Sequence, residues 1–251
     1  MCAPELSARY DCTAGFREAD AADCLLSLAV AGHSDQMFRQ QPATLSTLFC
    51  NVAPHHGGGT SFCSTVAGYA ALPPELKAEA EQLACCYSRA DSPLTQGTVS
   101  VHPLVLEHPT RERRSLYLGT HPPHSDPCRA SKRLDLSCMG VAGMSSKAPM
   151  LRNGALCPEP EAERLRAALL SHQLDPAHQL THEWRMGDLV LYDNSQLLHR
   201  REAYEGGRLL KATRVFVDPA AFAVPGFVKG EPWTPPADGL AAASAVFAAR
   251  L

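Results

Sequence analysis

The feature that most constrains the fold is a series of short strand-like segments separated by turns rich in proline, glycine and charged residues. The segments are rich in β-branched and aromatic residues and occupy residues 45–52, 98–106, 115–119, 188–193 and 209–217. They do not alternate regularly with helical segments, as the strands of a parallel βαβ sheet would. We therefore expect a mainly β fold with a double-stranded β-helix (jelly-roll) core and flanking helices.

Two segments have the apolar spacing of amphipathic helices. The first covers residues 73–87 and begins with two prolines and an acidic residue, and the second covers residues 159–174. Between them, residues 120–156 combine prolines, glycines, serines and mixed charge without sustained periodicity. This texture predicts a lid or irregular insertion. No repeat or low-complexity linker divides the chain, so residues 1–251 are expected to form a single domain.

Composition and charge argue against several functions. The 251 residues carry a net charge of −3 and a pI near 6.4, and the basic residues are scattered, so a nucleic acid partner is not expected. No segment approaches the roughly 20 apolar residues of a membrane span, and the amino terminus lacks the pattern of a secretion signal. The ten cysteines form no CxxC pair, which favours reduced thiols. We therefore expect a cytoplasmic protein that acts on a small molecule and contacts no membrane.

A candidate metal-binding pair lies near the amino terminus. His33 and Asp35 are two positions apart, so on an extended strand they would project from the same face. A second histidine would complete the 2-His-1-carboxylate triad that holds iron(II). The same tripeptide recurs at residues 124–126, but the prolines around that copy favour an exposed turn over a central strand. We therefore favour His33 and Asp35.

Three further segments follow this pair in a specific order. They are Gly57-Gly58-Gly59-Thr60-Ser61-Phe62, then His102-Pro103-Leu104 continuing to His108-Pro109, and then Gly187-Asp188-Leu189-Val190-Leu191-Tyr192-Asp193-Asn194 followed by His199. Together with the H-x-D, this order resembles the taurine dioxygenase and 2,4-D dioxygenase (TauD/TfdA) family and its butyrobetaine hydroxylase relatives. The resemblance covers residues 32 to about 218, and the combined order is far more specific than any one motif.

The resemblance implies a metal site and a cosubstrate site. His33, Asp35 and His199 match the iron(II) ligands of the family. Thr60 matches the threonine that hydrogen-bonds a carboxylate of 2-oxoglutarate, the family's cosubstrate. Dioxygen would be the oxidant.

The arginine that binds the cosubstrate has two candidates. Arg208 matches the family's clamping arginine, and a guanidinium suits a carboxylate because it forms two parallel hydrogen bonds. Arg214 lies six residues later, on the same face of an extended strand, and could clamp 2-oxoglutarate or bind an anionic group of the substrate. Ala212 falls where the taurine-cleaving members have a second arginine, which argues against taurine as the substrate.

The activity that the resemblance implies is oxidation of a C–H bond in a small polar metabolite, such as an amino acid or carboxylic acid. Hydroxylation is the default outcome, with desaturation or cyclisation as variants. Asp35 argues against halogenation, because halogenating relatives have a small residue at that position. One alternative is a catalytically silent jelly-roll protein that binds a metal or metabolite, with a short amino-terminal region marking lost activity. Another is a metalloenzyme that uses the same three residues without a keto acid.

Overall fold

The computed structural model describes residues 32–89, 98–119 and 148–222, with a few further positions between 224 and 245. The strands are β1 (Leu45–Val52), β2 (His56–Gly57), β3 (Thr60–Ser64), β4 (Leu83–Arg89), β5 (Thr98–Pro103), β6 (Val105–Glu107), β7 (Arg114–Leu116), β8 (Met150–Arg152), β9 (Ala155–Leu156), β10 (Gln179–His182), β11 (Leu189–Asp193), β12 (Leu197–Arg201), β13 (Tyr204–Glu205), β14 (Leu209–Val215), β15 (Phe227–Val228) and β16 (Glu231–Pro232). The helices with described bounds are α1 (Thr65–Ala70), α2 (Pro74–Ala80) and α3 (Glu159–Gln173), and a 3₁₀ turn covers Pro176–His178.

Two antiparallel sheets face each other across the candidate site. One has the strand order β11-β1-β14 and the other has the order β10-β3-β12. Their inner faces meet where the ring centroids of Phe62 on β3 and Tyr192 on β11 are 5.0 Å apart. This layout of two facing antiparallel sheets confirms the mainly β prediction.

The largest apolar cluster is built from other elements. It contains fully buried leucines of β6, β7 and α3, namely Leu106, Leu116, Leu165 and Leu169. Met37 also belongs to this cluster although it lies only two residues after Asp35. The Met37 carbonyl accepts a hydrogen bond of 2.6 Å from the Ser100 hydroxyl of β5. The cluster therefore anchors the segment that follows Asp35.

The helix predicted for residues 73–87 is shorter in the structure. It ends at Ala80, and residues 83–89 form strand β4, which pairs with β5 on one side and β8 on the other. Residues 83–87 are all buried. A strand buried on both faces has a continuous apolar run, and periodicity alone cannot distinguish such a run from a buried helix. The prediction is wrong beyond Ala80 because strand pairing on both sides outweighs the local helical spacing.

Several other predicted elements are confirmed. The helix predicted at 159–174 is α3 (Glu159–Gln173), and the strands predicted at 45–52, 188–193 and 209–217 are β1, β11 and β14. The segment predicted as one strand at 98–106 is divided by Leu104 into β5 and β6, and β6 pairs antiparallel with β7, which overlaps the strand predicted at 115–119. Among the described residues, no helix is both long and apolar enough to cross a membrane.

The irregular insertion predicted at residues 120–156 is wrong for its carboxyl-terminal part, which has regular secondary structure. Residues 150–156 form the regular β8–β9 hairpin, whose residues Met150 and Leu151 are fully buried. Backbone pairing of β8 with β4 explains this order in a segment that lacks apolar periodicity. Residues 120–147, including the second H-x-D at residues 124–126, lie outside the described residues.

Candidate metal centre

His33 and His199 are neighbours across a short antiparallel backbone pair. His33 N donates to His199 O over 3.1 Å, and His199 N donates to His33 O over 2.8 Å. Residues directly opposite each other in such a pair present their side chains on the same face. Their imidazole ring centroids are accordingly 4.4 Å apart. Backbone pairing therefore joins the first and last of the predicted ligands.

Asp35 follows this pair at the start of a tight turn. The next residue, Gln36, has a positive φ of 63°. Asn194 holds the turn, because its Oδ1 accepts from Asp35 N over 2.7 Å and its Nδ2 donates to Asp35 O over 3.0 Å. The same Nδ2 donates to Ala43 O over 2.7 Å. His33 and Asp35 thus meet through a single backbone bridge and a turn, and not along the strand that the sequence predicts.

The two carboxylate oxygens of Asp35 have different surroundings. Oδ2 accepts hydrogen bonds from Ser46 Oγ at 3.2 Å and from the Tyr192 hydroxyl at 3.0 Å. Oδ1 lies 4.0 Å from His33 Nε2 and 3.9 Å from His199 Nε2, which is too far for hydrogen bonds. The bonds to Oδ2 therefore fix the carboxylate, while Oδ1 faces the two Nε2 atoms without a hydrogen bond to either.

These three atoms fit a metal ion. They lie within 4.8 Å of one another, and each of His33, Asp35 and His199 is less than one-tenth exposed. Two imidazole nitrogens and one carboxylate oxygen are the donor set of the facial triad that binds non-haem iron(II). The Tyr192 hydroxyl, 3.4 Å from His199 Nε2 and bonded to Asp35, lies beside this donor set. Such outer hydrogen bonds orient metal ligands in proteins.

The ionisation states of the three residues also suit a metal. Burial, followed by the neighbouring His199, lowers the pKa of His33 to about 3. Burial is also the largest cause of the lowered pKa of His199. Burial alone would raise the pKa of Asp35, but His199, His33 and Arg214 together lower it below its ordinary value. Neutral imidazoles and an ionised carboxylate are the protonation states that metal binding requires.

Arg214 lies beside the metal centre. Its Nη2 is 2.9 Å from Asp35 Oδ1. The register of β1 and β14 brings it there, because Arg214 is directly opposite Ser46, which itself bonds Asp35. Arg214 Nη1 is buried and has no hydrogen-bond partner in the part of the chain that the structure describes. This guanidinium therefore has a donor available for an anionic group near Asp35.

Thr60 and Arg208 form a second polar cluster, the Thr60–Arg208 cluster. Arg208 donates from Nη2 to Thr60 Oγ1 over 3.2 Å and from Nε to Gly58 O over 2.8 Å. Trp184 donates from Nε1 to the same Thr60 oxygen over 3.0 Å. Burial and then the nearby Arg201 lower the pKa of Arg208 to about 10, which still leaves the guanidinium charged at neutral pH.

The two clusters share one face of the β10-β3-β12 sheet. Phe62 pairs with His199 across β3 and β12, and Thr60 lies two residues before Phe62 on β3. Strand alternation places Thr60 and Phe62 on the same face, about 7 Å apart along the strand. This separation suits a ligand with one end at the metal centre and the other at the Thr60–Arg208 cluster.

Sequence reasoning did not identify four residues that contact the predicted ones, because each contact joins segments far apart in the chain. These residues are Ser46, Trp184, Tyr192 and Asn194. Two of them, Tyr192 and Asn194, fall within the G-D…D-N motif that contributes to the family resemblance. Their position in that motif is the signal that could have pointed to them.

Comparison of the sequence with known proteins supports the family resemblance that the motifs indicate. The model described as "Taurine catabolism dioxygenase TauD, TfdA family" matches residues 17–214. The alpha-ketoglutarate-dependent 2,4-dichlorophenoxyacetate dioxygenase of Cupriavidus pinatubonensis is 30% identical over 185 residues, which cover 69% of this chain and 54% of that protein. The chain therefore spans about half the length of that relative.

Solved structures support the fold. The structure of AAD-2 in complex with Mn(II) and N-oxalylglycine has a TM-score of 0.56 and 28% identity, over 76% of this chain and 71% of that one. A taurine dioxygenase from Burkholderia xenovorans has a TM-score of 0.59 and 21% identity, over 87% of this chain and 67% of that one. These likenesses confirm the jelly-roll prediction. Since the family model matches more than three quarters of the residues, the chain belongs to the TauD/TfdA dioxygenase family.

Proposed function

We propose that this protein is an Fe(II)- and 2-oxoglutarate-dependent oxygenase that oxidises a C–H bond of a small carboxylate. The observation that carries this proposal is the convergence of Asp35 Oδ1 with the Nε2 atoms of His33 and His199. When bound, iron(II) supplies the oxidation chemistry of this family, in which 2-oxoglutarate and dioxygen are consumed, succinate and carbon dioxide are released, and hydroxylation adds one oxygen atom to the substrate.

The chain's own residues prepare the metal centre. His33, Asp35 and His199 would hold the metal, and the hydrogen bonds from Ser46 and Tyr192 to Oδ2 fix the orientation of the Asp35 carboxylate. Oδ1 would be the carboxylate oxygen offered to the metal, which would also bind the cosubstrate and the oxidant. The burial of these side chains limits the access of bulk water to the site.

The Thr60–Arg208 cluster would bind the far carboxylate of 2-oxoglutarate. Arg208 is a charged donor held in place by its bonds to Gly58 and Thr60, and Thr60 adds a hydroxyl at the same place. The cluster lies on the face of β3 that also carries Phe62, next to His199. An extended five-carbon dicarboxylate has its two ends far enough apart to reach from the metal centre to this cluster.

Arg214 favours a substrate with an anionic group. It contacts Asp35 at the metal centre and does not contact Thr60, so we assign it to the substrate and assign Arg208 to the cosubstrate. Its buried Nη1 would pair with a substrate carboxylate, because an unpaired buried cationic donor is unfavourable. The Cupriavidus relative acts, by its name, on a phenoxyacetate, which is also a carboxylate.

The test begins without oxygen. Addition of 2-oxoglutarate to the iron(II)-loaded protein should produce a weak visible charge-transfer band, and the Asp35→Ala variant should show none. Oxygen and a panel of small carboxylic acids should then cause succinate release, while the matching primary amides should not. No band with the wild-type protein would overturn the proposal. A normal band without succinate from any acid would instead favour the catalytically silent alternative.

A further inference from the structure

The hydroxyl of Thr60 is held by two donors at once. Trp184 Nε1 lies 3.0 Å from Thr60 Oγ1, and Arg208 Nη2 lies 3.2 Å from the same atom. An indole N–H and a guanidinium can only donate, so Oγ1 must accept both hydrogen bonds. A hydroxyl oxygen has two lone pairs and one proton, so both acceptor positions are filled and only the proton remains. Thr60 must therefore donate this proton to a different group.

We propose that Trp184 is a positioning residue that directs the Thr60 proton toward the far carboxylate of 2-oxoglutarate. This inference rests on the proposed function and adds a residue to the binding of its cosubstrate. Thr60 is only 2% exposed, so its proton needs an acceptor inside the site. A carboxylate beside Arg208 provides that acceptor. Without the indole N–H, one lone pair of Oγ1 is released and the hydroxyl can rotate.

The surrounding residues hold the Trp184 indole in one orientation. The His182 ring packs edge-on against it, with ring centroids 4.6 Å apart, and His182 Nε2 lies 3.1 Å from Asp188 Oδ2. Gly59 allows β10 to approach β3 closely, because a Cβ on Gly59 would lie only 2.8 Å from Thr181 Cγ2. Trp184 itself is 6% exposed. Its ring is therefore held by burial and by the His182 ring, and its N–H by the hydrogen bond to Thr60, as positioning requires.

The hydrogen bond from Trp184 should therefore affect the binding of only one end of 2-oxoglutarate, the far carboxylate. The metal centre would bind the keto acid group at the other end, which Trp184 does not touch. Loss of the indole N–H should therefore weaken the binding of 2-oxoglutarate but leave the binding of 2-oxopentanoate unchanged. That acid has the same keto acid group and the same chain length, and it lacks the far carboxylate.

The experiment compares wild-type protein with Trp184→Phe, which keeps an aromatic ring and removes the N–H. Both proteins are loaded with iron(II) without oxygen and titrated with each acid. The expected result is a Kd for 2-oxoglutarate about 3- to 10-fold higher, as for loss of one hydrogen bond, and an unchanged Kd for 2-oxopentanoate. In turnover, KM for 2-oxoglutarate should rise while kcat stays close to wild type. An equal weakening of both acids would show general loss of structure and overturn the inference.

Thr60 supplies the matched control. In a Thr60→Val background, Trp184→Phe should cause no further weakening, whereas in a Thr60→Ser background its effect should persist. Additive effects in the valine background would contradict the proposal. If Trp184→Phe does not fold, replacement of the indole by the isosteric benzothiophene removes the same N–H with the same shape. Failure of the wild-type protein to bind 2-oxoglutarate at all would instead overturn the proposed function.

Discussion

The metal centre and the Thr60–Arg208 cluster lie on the same face of one sheet, but they are held together differently. At the metal centre, backbone hydrogen bonds between His33 and His199 set the positions, and Asp35 Oδ1 makes no hydrogen bond to either imidazole. At the Thr60–Arg208 cluster, the side chains bond one another directly, because Thr60 Oγ1 accepts hydrogen bonds from both Arg208 and Trp184. In the first region the candidate ligand side chains are instead held by groups around them, such as Ser46, Tyr192 and Arg214 at Asp35.

This difference predicts two kinds of response to substitution. A metal site needs every ligand, so the loss of one should abolish binding. In a cluster where several donors bond one acceptor, the loss of one donor leaves the other hydrogen bonds in place. Each substitution there should therefore weaken ligand binding only in part. The following predictions sharpen or break this comparison and run from the largest expected effect to the smallest.

Removal of the carboxylate ligand should have the largest effect. Asp35→Ala should reduce iron(II) affinity and succinate formation by more than the roughly 100-fold that loss of an outer hydrogen-bond partner costs at metal sites. Iron(II) should also raise the melting temperature of the wild-type protein but not of the variant, because only a bound ligand stabilises the folded state. A variant that retains wild-type iron affinity would remove Asp35 from the metal centre.

The two arginines should affect different ligands. Arg208→Ala should raise KM for 2-oxoglutarate roughly 10- to 150-fold, the range expected for loss of one charged hydrogen bond. Arg214→Ala should leave that KM nearly unchanged and should raise KM for the oxidised substrate. Steady-state kinetics with each ligand varied in turn separates the two. The reverse pattern would make Arg214 the residue that clamps 2-oxoglutarate.

An outer hydrogen bond at the metal centre should matter less than a ligand. Tyr192→Phe removes the hydroxyl that donates to Asp35 Oδ2 and keeps the ring that packs on Phe62. Iron(II) affinity should fall about 10-fold, the lower end of the range for outer partners, because Ser46 still donates to the same oxygen. Equilibrium titration with iron(II) measures this. An effect as large as that of Asp35→Ala would mean that Tyr192 acts as a ligand itself.

The smallest effect is expected at the edge of the Thr60–Arg208 cluster. His182→Phe removes the hydrogen bond to Asp188 but leaves a ring against Trp184. The His182 side chain is one-third exposed, so KM for 2-oxoglutarate should rise only about 2- to 5-fold. A loss as large as that of Arg208→Ala would show that this cluster also responds in an all-or-none manner, which would break the comparison.

The sequence by itself predicted the family and the three candidate metal ligands. The order of the H-x-D, the Gly-Gly-Gly-Thr segment and the G-D…D-N…His segment is a property of the chain, and so are the prolines that argue against the second H-x-D. Strands β1, β11 and β14 and helix α3 were also predicted, because their residues have local propensities that agree with their final pairing. The helix prediction is wrong beyond Ala80, because there the local helical spacing and the final strand pairing disagree.

Only the tertiary structure decided how the candidate ligands meet and which arginine lies beside which cluster. Spacing along one strand placed Arg208 and Arg214 on the same face and could not separate them. In the fold, Arg208 precedes β14 and reaches back to Thr60, while the β1–β14 register sets Arg214 opposite Ser46, beside Asp35. The physical reason is that these contacts depend on the pairing of strands far apart in sequence, and local patterns do not specify that register.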